Sequence, residues 1–328
     1  MYRHYRIFII LASMLFCLSV SATNMLPEQD IEKAIDLFNQ NKYTESRDLF
    51  NIYVKENNNN AEAWYYLGRI AQIENRIDDA EDYLKKAIKI DGSRSIYHQW
   101  LGRVYGLQAV NASVFRQPFI ARNVRRSFEK AVELDPDNIE ARFDLVQFYI
   151  FAPGVVGGST GKAIEHAEEI KKRDAVRGHG AYGFIYGRQD EFEKAEREFT
   201  SAIEIDPTQH EPYMWLAFMY SRAENYAQAM SKLQTLIDRR PDYMPAYYHY
   251  GRLAAISGEQ MEQGKRYLEK YLQHTPAWNE PTIASAHYRL GNIYQKVNDP
   301  VRAREQYEIT LENNPEHQQA HEALKDLD

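Results

Sequence analysis

The sequence predicts an all-α fold, a right-handed solenoid of about eight helical hairpins followed by a short C-terminal helix. Small residues recur at a spacing of 34, from Gly68 to Gly102, from Gly183 to Ala217 and from Ala217 to Gly251. The apolar residues around them follow helical rather than strand spacing. Such a period is typical of stacked hairpins, because each hairpin buries its apolar face only against its neighbours.

The composition allows a sizeable core. Of the 328 residues, 44% are hydrophobic and 27% are charged, which is enough for two ordinary domains or one elongated array. Tyrosine is unusually frequent, with 24 Tyr against 14 Phe and 4 Trp. This frequency indicates many half-buried positions where an apolar ring ends in a solvated hydroxyl.

The N-terminal segment, residues 1–22, is typical of a secretory signal peptide. Arg3 and Arg6 precede an apolar run over residues 7–20, and Val20-Ser21-Ala22 forms a small-residue cleavage site. The run of 14 residues is shorter than the ~20 that a membrane-spanning helix needs. We therefore expect an exported chain, periplasmic or secreted, with no membrane span after cleavage.

Removal of this segment has two consequences for chemistry. It takes away Cys17, the single cysteine, so disulfides and thiol catalysis are excluded in the mature chain. Lipidation of Cys17 is the alternative, but the large Phe16 precedes it where lipoprotein signals have a small residue. The mature chain would carry about nine more acidic than basic residues, which argues against broad nucleic-acid binding.

The clearest repeating unit is "AEAWYYLGRIAQIENRIDDAEDYLKKAIKIDGSR", residues 61–94. Its patterned positions are Trp64, Leu67, Gly68, Ala71, Ala80, Leu84, Ala87 and Gly92. This unit resembles the tetratricopeptide repeat, TPR, in which small residues let two antiparallel helices approach closely and larger ones fill the space between neighbours. The resemblance implies repeats at approximately 27–60, 61–94, 95–138, 139–175, 176–209, 210–243, 244–278 and 284–317, with a terminal helix at 318–328.

Three insertions depart from the period. One of them, "AWNEPTIA" at residues 277–284, separates the last two repeats, and two others lie earlier in the chain. One adds about ten residues near 109–119, and the other is "APGVVGGSTGKA", residues 152–163. The second is not a phosphate-binding loop: counting back from Gly161-Lys162, the first required glycine would fall at Val156, and Ala163 replaces the required Ser or Thr.

The 152–163 segment is instead predicted as a lengthened turn. Pro153 ends one helix, Ser159 or Thr160 caps the next, and the glycines Gly154, Gly157 and Gly158 supply unusual backbone angles. Its Pro-Gly-x-x-Gly-Gly pattern resembles that of exported bacterial TPR proteins. Insertions in repeat arrays often mark a binding face, and a plain lengthened turn is the alternative.

No catalytic, cofactor or metal site is predicted. His98, His179 and His287 fall at repeat packing positions, and His317 and His321 have a metal-compatible spacing without an evident third ligand. Acidic residues are spaced for helix-surface pairing with Lys and Arg. A hydrolase that uses the insertions at 109–119 and 152–163 is a further alternative, but no nucleophile and base can be paired in the sequence to support it.

The first helices of successive repeats are expected to line a concave groove. Residues three before, one after and four after the repeat glycine share one stripe of a helix. From it we select candidate peptide-binding residues: Tyr65, Arg69, Gln72, Arg103, Phe143, Gln147, Phe218, Tyr248, Arg252, Tyr288 and Asn292. Arginine forks and rigid aromatic rings suit an extended peptide with acidic groups. In the alternative, these arginines pair with helix neighbours such as Glu62 and Glu140 and bind no ligand.

The expected function is that of a non-enzymatic scaffold that holds a protein or peptide in this groove. Resemblance to exported TPR proteins suggests a role in assembly or maturation of a cell-envelope complex. The alternative is an accessory subunit of an envelope enzyme or polysaccharide-export system that docks through its edges and insertions.

Overall fold

The computed structural model describes residues 26–327, so the predicted signal peptide and Cys17 lie outside the described residues. Within this range the chain forms seventeen α-helices and one 3-10 turn and has no β-strand. The helices are α1 Leu26–Asn39, α2 Tyr43–Glu56, α3 Ala61–Ile73, α4 Ile77–Ile90, α5 Ser95–Asn111, α6 Gln117–Leu134, α7 Ile139–Phe151, α8 Thr160–Arg173, α9 Ala175–Arg188, α10 Phe192–Ile205, α11 Glu211–Arg222, α12 Tyr226–Arg239, α13 Met244–Ser257, α14 Met261–Tyr271, α15 Ile283–Lys296, α16 Pro300–Asn313 and α17 Gln318–Lys325.

The chain divides into two compact units. Of the described residues, unit 1 holds 26–148 and 152–157, and unit 2 holds 149–151 and 158–327. In unit 1, α1 packs on α2, α3 on α4 and α5 on α6; in unit 2, α9 packs on α10, α11 on α12, α13 on α14 and α15 on α16. First helices of successive hairpins also touch, as α3 does α5 and α13 does α15. This stacking confirms the predicted all-α, TPR-like solenoid.

Small residues let the paired helices approach closely, as the repeat pattern predicts. A Cβ added at Gly102 would lie 2.5 Å from the Phe128 ring, and one added at Gly183 would lie 2.6 Å from the Phe199 ring. Any side chain there would force the hairpin apart. The tight turns inside the hairpins use a left-handed residue, with φ of 51° to 61° at Asn41, Asn75, Asp190, Glu224, Gln260 and Asn298.

Each unit has its own apolar core along these contacts. In unit 1, Phe50 and Leu67 are almost fully buried in a cluster that reaches from α1 to α3. In unit 2, Leu233, Leu268 and Tyr307 lie in one continuous cluster from α11 to α16, with apolar residues of α17 packed against it. The cores fix the first helices, and with them the stripe that the sequence selects for binding.

The two earlier insertions fold differently from one another. Most of the extra residues near 109–119 extend α5 and α6, which leaves residues 112–116 as the connection. In the second insertion α7 ends at Phe151, Gly154–Val156 form the 3-10 turn, and the Ser159 hydroxyl accepts a bond from the Lys162 amide.

Only part of the backbone prediction for the second insertion is correct. Gly157 has a φ of 105°, whereas Gly154 and Gly158 do not adopt the left-handed region. Gly154 begins the 3-10 turn, whose geometry any residue can adopt.

None of the helices in residues 26–327 has both the length and the hydropathy needed to cross a bilayer.

Candidate functional site

The selected stripe residues lie on the first helices of their hairpins, and most are half-buried. Tyr65 and Tyr248 are the exceptions, since both are buried among core residues. Phe143 and Gln147 lie half-buried on α7. A buried tyrosine contributes to the wall of a binding surface more than to direct contact, so the arginines decide what the stripe can bind.

In unit 1, the Arg69 guanidinium is held by aromatic rings. Its Cζ lies 3.6 Å from the Trp100 ring centroid and 4.9 Å from that of Phe38. Nη1 donates to the Tyr65 hydroxyl at 2.8 Å, while Nε is buried with no acceptor among the described residues. Burial raises the pKa of Tyr65, and the nearby Arg69 charge opposes that rise. Arg69 is therefore a pre-oriented cation whose donors are only partly used.

Arg103, on the next first helix, is paired inside the protein. Its Nε donates to the Asp144 carboxylate at 2.9 Å, and its Nη2 lies 3.6 Å from Glu140. Gln99 donates to the same Asp144 oxygen at 2.7 Å. Burial raises the pKa of Asp144, and Arg103 opposes that rise. The alternative in which stripe arginines pair with neighbouring helices therefore describes Arg103.

Arg252 in unit 2 has the opposite surroundings. It lies on α13, which packs against the α15 helix that carries Arg289. The Nε groups of both arginines are buried without an acceptor, and no ion pair joins either arginine to a carboxylate within residues 26–327. Burial lowers the pKa of Arg252, and the charge of Arg289 lowers it further. Two neighbouring guanidinium groups without a counter-charge form a site that favours an anion.

Aromatic side chains lie on the helices that carry this arginine pair and on α11 beside them. The Phe218 ring meets the His249 ring edge-on with 5.0 Å between centroids, and the Tyr248 ring is tilted by 53° to that of Tyr271 at 5.5 Å. Burial, and then the charge of Arg252, lowers the pKa of His249 to about 3, so its ring is neutral at ordinary pH. The His249 Nδ1 atom is also buried without a partner among the described residues.

On α15, the two predicted residues have different surroundings. Tyr288 is half-buried, and its ring centroid lies 4.7 Å from that of His317. The Asn292 side-chain oxygen accepts a bond from the hydroxyl of Tyr307 at 2.9 Å. Asn292 thus satisfies a core tyrosine, a role that the stripe pattern did not indicate. On α3, the side-chain oxygen of Gln72 is buried with no donor in the described chain.

Histidines have structural contacts. His179 bonds Glu198 at 2.7 Å, and His287 bonds Gln306 at 2.8 Å. His317 caps α17 by accepting from the Ala320 amide, whereas the His321 ring bonds the Pro315 carbonyl. Within residues 26–327 no three His, Cys, Asp or Glu side chains are grouped to hold a metal.

The stripe pattern missed four residues that lie around its arginines. Trp100 and Asp144 contact Arg69 and Arg103 in unit 1, and His249 and Arg289 lie near Arg252 in unit 2. Trp100, His249 and Arg289 each stand two positions before a repeat glycine, one position off the selected stripe. A broader stripe that included this position would have found them. The role of Asp144 could not be predicted from the stripe, because it depends on the contact between α7 and Arg103 on α5.

Stacked helical hairpins with arginines and aromatic rings on their first helices define a helical-repeat protein. Tetratricopeptide-repeat family models match residues 31–95 and 288–324, residues 176–209 and residues 213–243, together about half of the chain. The chain therefore contains tetratricopeptide repeats. A search of curated proteins gives no match.

Solved structures share this fold at low sequence identity. Yeast Tom70 is similar with a TM-score of 0.63 and 16% identity, over 87% of this chain and 58% of that one. A monomeric mutant of IFIT1 with m7Gppp-AAAA is similar with a TM-score of 0.55 and 14% identity, over 90% and 70%. A tetratricopeptide repeat protein from Parabacteroides merdae gives a TM-score of 0.47 and 17% identity, over 81% and 98%.

Proposed function

We propose that the chain is a non-enzymatic scaffold that binds an extended acidic segment of a partner protein along the first-helix stripe, in the groove that the sequence predicts. Tetratricopeptide repeats are consistent with a protein-interaction scaffold, which is the coarser part of this proposal. The finer part, an acidic ligand, rests on Arg252 and Arg289.

The carrying observation is the arginine pair without a carboxylate. A buried N–H that lacks an acceptor costs roughly 1–3 kcal/mol. Two such donors on adjacent first helices, Arg252 and Arg289, are therefore unfavourable in the free protein. The buried Nε atoms are closed to an external acceptor, so a partner's carboxylate would accept from the terminal Nη groups and offset the repulsion between the two charges. Because the neighbouring His249 ring is neutral at ordinary pH, the positive charge of this site comes from the two arginines.

Arg69 is a separate candidate contact within unit 1. Its guanidinium lies against Trp100, which leaves the buried Nε as an unused donor. Because this Nε is buried, an acidic side chain or a peptide carbonyl would accept from the terminal Nη groups of Arg69 instead. Arg103 is not assigned this role, because Asp144 and Glu140 already pair with its charge. The proposed contact residues are thus Arg69 and Arg252 of the predicted stripe, together with Arg289, which stands one position off it.

The biological setting of this activity is also a proposal. The apolar N-terminal run and small-residue cleavage site favour export, and the resemblance to exported TPR proteins favours assembly or maturation of a cell-envelope complex. Docking through the insertions, as an accessory subunit, is the second candidate. It is favoured by the exposed apolar side chains of Val114 and Phe115 on the first insertion.

Fluorescence anisotropy with labelled extended peptides tests the acidic-ligand proposal. A peptide rich in Glu should bind, and the same peptide with Gln in place of Glu should bind at least about tenfold more weakly. The variant R252M/R289M keeps the alkyl stems and should lose the preference for Glu. The exposed Arg197 provides the matched control, and R197M should leave the affinity unchanged.

Two results would count against the proposal. Equal affinities for the Glu and Gln peptides would show that the arginine pair does not discriminate between charged and neutral side chains. Loss of binding on shortening residues 112–116, with R252M/R289M unaffected, would place the contact on the insertion instead.

A further inference from the structure

The connection between α5 and α6 in unit 1 exposes apolar side chains. Val110, Val114, Phe115 and Phe119 are 81%, 75%, 88% and 68% exposed. They belong to the insertion that lengthens both helices, and they are not needed to complete the hairpin, which Gly102 and Phe128 already close. We call residues 110–126 the basic elbow.

The elbow also carries an unusual charge pattern. Residues 107–128 contain four arginines and no acidic residue, within a chain whose formal net charge is −7. Arg122 and Arg126 follow Phe119 by three and seven positions, so the three side chains share one face of α6. Arg122 and Arg126 are exposed, and neither has an ion pair with any residue in 26–327. The pattern combines exposed aromatic rings with unpaired cations.

A neighbouring segment extends this surface. The 3-10 turn Gly154–Val156 belongs to unit 1 and packs against α6, and the side chain of Val155 is 94% exposed. A Cβ added at Gly157 would lie 2.6 Å from Nη1 of Arg125, which shows how closely the turn approaches the helix. Both insertions therefore present apolar side chains beside α6.

We propose that the basic elbow docks on an anionic membrane surface. Phe and Val side chains that project from a bend are suited to entering the headgroup region, where aromatic rings are favoured. Arg122 and Arg126 on the same face are attracted to anionic headgroups. A protein partner would need a cleft matched to four separate projecting side chains, whereas a bilayer accommodates them without such a match. This contact is peripheral and uses no membrane-spanning helix.

The proposal is independent of the acidic-ligand site. The elbow shares no residue with Arg69, Arg252 or Arg289, so loss of vesicle binding should leave peptide binding unchanged, and the converse holds. Either proposal can therefore fail without the other.

A local fluorescent probe tests the elbow in the full chain. Ser113 is exposed, and S113C in a C17S background carries an environment-sensitive dye in the connection between α5 and α6. With vesicles of phosphatidylglycerol and phosphatidylcholine, the dye should shift to the blue and brighten. With phosphatidylcholine alone, it should change little. The same dye on V301C, another exposed position, in α16, should not respond, even if residues 1–22 bind the vesicles.

Charge and apolar variants separate the two parts of the contact. R122E/R126E should weaken the response to anionic vesicles by at least about tenfold, and F115S/F119S by a similar factor. The matched variant R197E/R239E changes the net charge equally at exposed positions of unit 2 and should stay within about twofold of the parent.

Three outcomes would overturn the proposal. The first is no dye response at position 113 with anionic vesicles. The second is an equal response at position 301. The third is a loss of vesicle affinity in R197E/R239E equal to that in R122E/R126E, which would show that the net charge of the protein and not the elbow determines binding. A dye response at position 113 to a purified protein but not to vesicles would assign the elbow to a protein interface instead.

Discussion

Arg103 in unit 1 and Arg252 in unit 2 each follow a repeat glycine, yet their surroundings are opposite. Arg103 donates to Asp144 at 2.9 Å, whereas Arg252 has no carboxylate partner in the described chain and lies near Arg289. In both cases the deciding residue comes from the first helix of a following hairpin: Asp144 on α7 and Arg289 on α15. The same "GR" motif is therefore structural in one repeat and available for a ligand in another, depending on its neighbour.

A motif that recurs with the period reports the shared helical geometry, while the chemistry of each copy depends on residues that differ between copies. Asp144 neutralises the charge of Arg103, and Arg289 adds to that of Arg252. The binding candidates on a stripe are the copies that their neighbours leave uncompensated.

The largest expected effect is on the paired arginine. R103M should lower the free energy of unfolding by about 2–3 kcal/mol, because it leaves the Asp144 carboxylate buried without its cation. The side chain of Asp144 is only 10% exposed. The pKa of Asp144, already raised by burial, should rise further when Arg103 is removed, so the deficit should shrink as the pH is lowered. Urea unfolding near pH 7.5 and near pH 5 measures both effects.

The control for this prediction removes both partners. R103M/D144L should recover most of the lost stability, since an apolar pair of similar volume needs no counter-charge. A loss below about 0.5 kcal/mol in R103M would place the pair among ordinary surface ion pairs and weaken the contrast with Arg252.

A second effect follows from His249, which lies beside the unpaired Arg252. Its folded pKa is about 3, against an ordinary value of 6.5, so the unfolded chain binds more protons between these two pH values. The free energy of unfolding should therefore fall as the pH drops below about 6.5, by up to about 1.4 kcal/mol per pH unit from this group. Between about pH 7.5 and about pH 5.5 the loss should be about 1.4 kcal/mol.

The variant H249F isolates this contribution. It should remove that part of the pH dependence, because a phenyl ring fills a similar space and cannot bind a proton. Urea unfolding of the parent and of H249F at the two pH values gives the difference. An unchanged slope in H249F would show that the ring is accessible to water, and the site around Arg252 would then be less buried than the contrast requires.

The fold could be predicted from sequence because the repeat is local. Gly102 and Gly183 fall where the helices approach closely, and the aromatic and proline positions follow from the same hairpin geometry. The insertion near 109–119 was harder, since its residues continue α5 and α6 rather than form a loop. Nothing in its length distinguishes these outcomes.

The candidate site was less predictable, because it depends on contacts between copies. The stripe rule found Arg69 and Arg252, but it also selected Asn292, whose oxygen is occupied by Tyr307. It missed Arg289, which stands one position off the stripe and yet lowers the pKa of Arg252. Such contacts follow from which side chains meet between neighbouring helices, and a single repeat contains no information about that.

The smallest expected effect on stability concerns the unpaired arginine, and its sign is opposite to that of Arg103. R252M should raise the free energy of unfolding by about 1 kcal/mol, because it removes a partly buried charge and an unsatisfied Nε and keeps the alkyl stem in place. Urea unfolding of R252M beside R197M measures this, and R197M should change stability by less than about 0.5 kcal/mol.

The combination of readouts decides what the gain means. If R252M is more stable and also loses the preference for acidic peptides, the charge is retained for binding at a cost in stability, as functional sites commonly are. If R252M is instead destabilised by 1 kcal/mol or more, Arg252 makes favourable interactions in the free protein. In that case both arginines would be structural, and the chemistry of the neighbouring helix would not separate binding copies from packing copies.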